Sequence, residues 1–271
     1  MAPMPHQILR DDFKLSTLLY MGAFIQAVLF LIAPHRIVAM PVVLTLAGIV
    51  TKNMLIRFGF MRDPSFDRVY VGRTTAQIVN DDGSVPENGC DKEIVVFLLG
   101  SCTNNAIDGR FDSDTLEVRD MFGDMWKELS DNREKWGFIG KTGTLLSTDV
   151  ENTNSAAWIS YWRSLEHLQA FAQAEAHQKG LNWYMKGKHP SVGIMHETYV
   201  VPAGNWETIY HNFVPFGLGQ AKQPFKEADS MRKKGMRAPH ASGLMEAKGP
   251  TWKSMKSRMK NLTTEKEAHN D

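Results

Sequence analysis

The side chains able to do chemistry crowd into one stretch, residues 156–216, which carries Trp158, Trp162, His167, His177 and His196. Imidazoles titrate near neutral pH and can take or give a proton. Indoles supply large flat apolar walls. In extended chain, alternate side chains share a face, so Trp158, Ser160 and Trp162 point together. By the same rule Ile194, His196 and Thr198 form one face of a later strand, and Met195, Glu197 and Tyr199 the other. In the helix between them, His167, Phe171 and Ala174 lie along one stripe with His177 further round. If the Trp face and the His196 face coincide, they enclose an apolar pocket with aromatic walls and a titratable imidazole. The candidate catalytic residues are therefore His196, His177 and His167; Trp158, Trp162, Phe171 and Tyr199 are the candidate substrate contacts. Asn104, just beyond an apolar strand, adds an amide donor suited to a developing oxyanion or peroxide.

Several other chemistries lack their residues. No HxxxH pair falls within a helical turn, and Glu166 and His167 are adjacent and point apart, so no metal site is expected. There is no GxGxxG or Walker loop for a nucleotide, and no GxSxG elbow. The formal net charge of +1 gives no steer towards nucleic acid. The two cysteines, Cys90 and Cys102, have no metal-ligand spacing and read as free thiols on the reducing side of a membrane. A redox enzyme built from these parts uses its substrate, a haem, or the pocket alone.

These residues must be positioned by a small mixed fold. The run Glu93–Leu99 (EIVVFLL) is β-branched, apolar and short, which predicts a buried strand. Residues 112–136 predict a helix capped by Ser113 or Asp114, with Phe122, Met125, Trp126 and Leu129 repeating on one face. A second strand is expected over 141–148, a polar loop over 149–155, and a third strand over 156–162. A helix over 164–179 is expected to end at Gly180 as its C′ glycine, followed by a fourth strand over 192–202. The order β-α-β-β-α-β is a ferredoxin-like split unit, with both helices on one face of an antiparallel sheet. The other face also needs cover. A second copy would supply it as a dimeric α+β barrel; an extra strand within 68–79 and the C-terminal extension are further sources.

Three domains are expected. Residues 1–57 hold two apolar runs, Leu15–Ala33 and Ile37–Val50, read as membrane-spanning or membrane-associated helices. Arg10 and Lys14 precede the first run and Lys52, Arg57, Arg62 and Arg68 follow the second, which places the main domain on the cytosolic side. Residues 58–219 form the α+β domain. Residues 220–271, with twelve Lys/Arg against six Asp/Glu, are expected to be a loosely ordered basic tail with one short helix over 251–262.

The phrases YWRSLEHLQAFAQAEAH, HPSVGIMHETYVVPAGNWE and IYHNFVPFGLG add a resemblance. They resemble the fungal secondary-metabolite monooxygenases typified by the fumagillin-pathway polyene-cleaving monooxygenase, a family similar to the antibiotic-biosynthesis monooxygenases. What the resemblance implies is a dimeric α+β barrel, often without metal or flavin, oxidising a hydrophobic polyketide or terpenoid at a membrane such as the endoplasmic reticulum. A more distant likeness is to haem-degrading barrels, whose helix after the tryptophan-bearing strand ends in an Ala-His that ligates haem. Ala176-His177 sits at the corresponding place, so haem, if used, implies His177 as ligand. The same pocket also suits an acid–base isomerase, cyclase or epoxide hydrolase, with His196 and either Glu197 or Asp108 moving protons, or a non-catalytic lipid or pigment binder.

Overall fold

The computed structural model describes residues 15–87, 89–104, 112–147, 155–225 and 240–259, and falls into two units, Met1–Arg68 and Val69–Asp271. In the first unit, α1 (Leu15–Ile32) and α2 (His35–Arg57) are joined at Ala33-Pro34. Gln26 Nε2 donates to the Val38 carbonyl at 3.4 Å, tying the two helices together. Their apolar side chains face outward, with Phe24 70%, Leu31 86% and Ile37 65% exposed. Water would not select such an arrangement. α2 is long and apolar enough to cross a membrane, its 23 residues rising about 34 Å. The apolar part of α1, Leu18–Ile32, is shorter.

The second unit opens with β1 (Tyr70–Ala76), then β2 (Ile94–Thr103), α3 (Ser113–Asp131), β3 (Phe138–Lys141), β4 (Leu145–Leu146) and β5 (Ser155–Trp162). Two helices follow, α4 (Leu165–Ala172) and α5 (Glu175–Lys186), then β6 (Val192–Val201) and β7 (Tyr210–Phe213). Short elements complete it: β8 (Lys222–Gln223), β9 (Ala241–Ser242), β10 (Leu244–Glu246) and α6 (Met255–Arg258). The main sheet runs β3-β5-β2-β6, all antiparallel, with β4 also on β5. This is the ferredoxin-like order expected from β-α-β-β-α-β.

Register divides the side chains. Val95, Phe97 and Leu99 stand opposite Trp162, Ser160 and Trp158 on β5, and opposite Val200, Thr198 and His196 on β6. That face packs on the helices through Val95, Leu129, Trp136, Phe138, Trp162 and Phe171, with a second cluster around Val118, Met121, Phe122 and Val192. Trp162 is 1% exposed, and its Nε1 donates at 3.0 Å to Ser160 Oγ, which donates to the Phe97 carbonyl at 3.1 Å. The indole N–H of Trp162 and the hydroxyl of Ser160 are thus both paired.

One end of the opposite face is covered from within the chain. Ile94, Ile139, Tyr161 and Val201 meet Ala76, Ile78, Trp206, Leu218, Tyr210 and Leu244. The extra strand and the C-terminal extension therefore both contribute cover, as β1 pairs with β7 and β10. Burial raises the phenol pKa of Tyr161, and takes that of Tyr210 up to about 12.

Several expectations need correction. The helix expected over 112–136 is capped by Asp112, which accepts from Thr115 N at 3.1 Å, and ends at Asp131. The strand expected over 141–148 is two pieces, β3 and β4. The helix expected over 164–179 breaks after Ala172 and resumes at Glu175, and Gly180 is not its C′ residue but lies inside α5. A Cβ on Gly180 would stand 2.6 Å from Met125 Cε, so glycine is there for the close approach of α5 to α3. The polar loop expected over 149–155 lies almost wholly outside the described residues. The expected loose tail is ordered in part: β10 pairs with β1, and Trp252 is 4% exposed against the turn at Gly89.

If residues 240–259 are part of the folded domain, Trp252→Ala should destabilise it by about 3–5 kcal/mol. Urea unfolding of the detergent-solubilised chain would read this; a loosely attached tail would leave the midpoint unmoved.

Candidate active site

Because the helix-facing side chains of β5, β2 and β6 are in register, Trp158, Leu99 and His196 form one row across the sheet. Trp158 and His196 are separated by two interstrand steps, roughly 10 Å. The coincidence of faces on which the pocket depends therefore holds. Phe97, one row along, has its ring 5.5 Å from that of His196.

His177 comes from the first turn of α5, and His196 is the one residue of this row with which it interacts electrostatically. Its ring is 6.3 Å from Phe171, which is itself 5.8 Å from Trp162. Burial is the main cause holding the His177 pKa below its ordinary value. The Ala172 carbonyl, which already accepts from Gln178 Nε2 at 2.7 Å, offsets this in part, and the charge of a protonated His196 deepens it. His177 Nδ1 is buried without a well-formed hydrogen bond. The helix thus supplies a neutral imidazole, and the strand an exposed one.

The remaining expected residues separate into different places. Trp162 and Phe171 are core, 1% and 5% exposed. Trp158 is half-buried against Phe122 and Trp126, with Nε1 donating to Thr144 Oγ1 at 3.1 Å. His167 is at the start of α4, where its Nδ1 shares a 2.9 Å hydrogen bond with Ser164 Oγ and its ring presses on Gly137. It builds the helix cap and does not join the His177–His196 pair. Asn104 donates to the Pro190 carbonyl at 3.3 Å and contacts Cys102 Sγ at 3.5 Å. Cys102 belongs to the face away from the helices, so Asn104 is not an oxyanion donor to this site. Tyr199, 53% exposed, is on that same far face and donates to the Glu197 carboxylate. Glu197 and Tyr199 therefore do not face His196's partners, and Asp108 lies outside the described residues.

A groove of about 360 Å³ runs between α3 and the start of α5, lined by Met121, Asp124, Glu128, Trp136, Ala176 and Lys179 among others. It is lined by none of the expected site residues. Among the described residues no cluster of three or more His, Cys, Asp or Glu could hold a metal ion. A haem is a different demand, since its iron would need one imidazole donor, for which His177 is the candidate.

With this geometry in hand, the likeness to known proteins is informative. Residues 94–218, from the first residue of β2 to the turn after β7, match the family described as Monooxygenase af470-like. The chain is 27% identical over 251 residues to "Monooxygenase af470" of Aspergillus fumigatus, covering 93% of this chain and 89% of that one. By both likenesses the chain is similar to this family. The chain is a monooxygenase-like enzyme.

Among solved structures, it is similar to SnoaB, a cofactor-independent oxygenase from Streptomyces nogalater, at 13% identity and a TM-score of 0.28, over 40% of this chain and 91% of that one. It is also similar to the aldoxime dehydratase OxdRE, at 17% identity and a TM-score of 0.39, over 55% of this chain. It spans only 41% of that dehydratase's length.

Reasoning from the sequence missed one residue of this monooxygenase-like domain. Lys141 on β3 reaches the same layer and lies over the Trp126 ring, its Nζ 5.0 Å from the centroid. Nothing in the local pattern announces it, because its direction depends on a bulge.

The depressed pKa of His177 has a consequence for stability. Above pH 6.5 the imidazole is neutral folded and unfolded, and costs nothing. As pH falls below 6.5 the unfolded chain takes up a proton that the folded chain resists, so stability is lost. Denaturant unfolding at pH 7.5 and pH 5.5 should show a smaller acid loss in His177→Phe than in the parent chain. An equal loss in both would mean the ring is not desolvated.

Proposed function

We propose that the chain is a membrane-anchored monooxygenase oxidising a hydrophobic polyketide- or terpenoid-type molecule. The observation that carries this reading is the desolvated His177, beside Phe171 and within electrostatic reach of His196, whose strand shares the face that bears Leu99 and Trp158. An imidazole kept neutral by burial is free to accept a proton at pH 7, and the aromatic floor favours an apolar substrate.

His177 removes a proton from an activated methylene of the substrate, and the electron-rich carbon passes an electron pair to dioxygen. One oxygen atom stays as a carbonyl; the other leaves as water with the two hydrogens of the methylene, so the substrate supplies all four electrons that reduce dioxygen. His196, open to solvent, passes protons between the site and water. Phe97 and Phe171 keep water from the reacting carbon.

A haem-assisted version of the reaction is the second reading, favoured by the neutrality of His177 and its unbonded Nδ1. His177 would hold the haem iron, and Phe171 and Phe97 would flank the group. Haem would supply the activation of dioxygen; proton transfer at His196 and exclusion of water would remain with the protein.

The outward apolar faces of α1 and α2 support anchoring in a membrane, with the basic residues after α2 favouring a cytosolic main domain on the endoplasmic reticulum. On the helix-distal face of the sheet Met195 and Tyr199 are exposed, at 43% and 53%, and a second copy of the chain is the natural cover.

Metal-stripped protein supplied with an activated polyene or phenolic substrate should place one atom of labelled dioxygen in the product. His177→Ala and His196→Ala should each lower turnover about 10²–10⁴-fold. Label arriving from water instead would sink the oxygenase reading in favour of a hydrolase, and label from neither source would point to an isomerase or cyclase. A Soret band in the purified protein, lost in His177→Ala, would select the haem version.

A further inference from the structure

β3 is irregular where it pairs with β5: Phe138 stands opposite Trp162, but Gly140 stands opposite Tyr161 and Lys141 opposite Ser160. The extra residue is a β-bulge. Ile139 and Gly140 consequently both turn to the helix-distal side, where Ile139 packs with Leu218 and a Cβ on Gly140 would stand 2.8 Å from Ala221. Phe138 and Lys141, three residues apart, both turn to the helix side. Regular alternation would have sent Lys141 to the opposite face. The bulge places an ammonium group in an aromatic layer.

That ammonium is incompletely partnered. Lys141 Nζ donates to the Thr142 carbonyl at 3.1 Å and rests on the Trp126 ring at 5.0 Å. No carboxylate pairs with it among the described residues. Burial lowers its pKa, the expected direction for a desolvated ammonium. Trp126 Nε1 is also buried and has no acceptor. Trp158 closes the group, with its ring 6.3 Å from Trp126. An indole N–H with no acceptor, beside an ammonium with a single carbonyl acceptor, is costly in an apolar layer unless a ligand brings a further acceptor.

We infer that Lys141 and Trp126, walled by Trp158, form a subsite for an anionic oxygen, carboxylate or enolate, on an otherwise apolar substrate. The inference rests on the oxygenase site proposed above and deepens it, because it names the polar group of the substrate and the end of the site that receives it. Trp158 and His196 share a row, so a molecule whose anionic oxygen sits at Lys141 extends its apolar body along that row towards the imidazoles. The positive charge also stabilises the enolate that proton removal at His177 generates.

Binding tests this without turnover or dioxygen, so it can fail independently of the oxygenase reading. The detergent-solubilised full chain is titrated with parinaric acid, a fluorescent conjugated-polyene carboxylate, and with its methyl ester. The ratio of acid affinity to ester affinity is compared between variants, so that partitioning into detergent cancels. Lys141→Met should lower this ratio about tenfold while ester affinity stays constant, as expected for loss of a charge-assisted hydrogen bond. Trp126→Phe, which keeps the ring and removes the N–H donor, should lower it severalfold. Should Lys141→Met lose the ester as well, Trp126→Phe decides by the same ratio. An unchanged ratio, or failure of the parent chain to bind either probe, overturns the inference.

Discussion

The register of β2 against its two neighbours is the constraint on which the rest of the domain depends. β2 pairs over eight positions with β5 and ten with β6, the most extensive pairing in the chain. Because side chains alternate with a period of two, a slip of one residue on either side would carry a whole strand's set to the wrong face. Trp158 and His196 share a face only because Leu99 is opposite both. The same register buries Trp162 beside Val95 and sends Tyr161 into the opposite core. Site and core are therefore specified together, and the hydrophobic effect that fixes the core also fixes the site.

The two faces do different work. On the helix side, the end of the sheet holding Val95, Phe138 and Trp162 is tightly closed, and the middle rows holding Leu99, Trp158 and His196 are less so. β6 lies at the edge, so its helix-facing residues lack a neighbouring strand and His196 stays in contact with solvent. That asymmetry gives one imidazole access to water and desolvates the other. In the proton-moving role proposed for the pair, this difference in solvation separates the imidazole that would meet the substrate from the one that meets water.

Much of this arrangement is legible in the amino-acid sequence. Alternation over 156–162 and 192–202 sorts Trp158 from Tyr161 and His196 from Tyr199, because period two is a strong signal in strands buried on at least one face. The order of elements points to the ferredoxin-like unit. What escapes a reading of the sequence depends on contacts between distant parts. Gly180 carries the composition of a helix terminus, yet α5 continues through it because α3 presses against it there; local propensity yields to packing. The capping role of His167 hangs on Ser164 and Gly137, and the placement of Asn104 on Pro190. Order in residues 240–259 comes from β10 joining β1, a pairing across more than half the chain that no window of sequence contains.

The bulge in β3 explains why Lys141 in particular leaves no trace in the local pattern. A lysine beginning a strand is ordinarily a solvated edge residue, and edge lysines commonly guard against unwanted pairing. Here the extra residue reverses the alternation and gives up the strand's regularity to turn the ammonium inward. Such an arrangement is unfavourable for the empty fold: desolvating an amine costs more than resting it on an indole returns, and a methionine would fill the same space without that cost. Trp126 compounds the cost with a buried N–H that has no acceptor. A single misfit could be incidental, but an ammonium with one carbonyl acceptor lying over an indole whose N–H has none forms a consistent deficit. It has one sign, and in the reading proposed above its remedy is an acceptor carried in by the substrate.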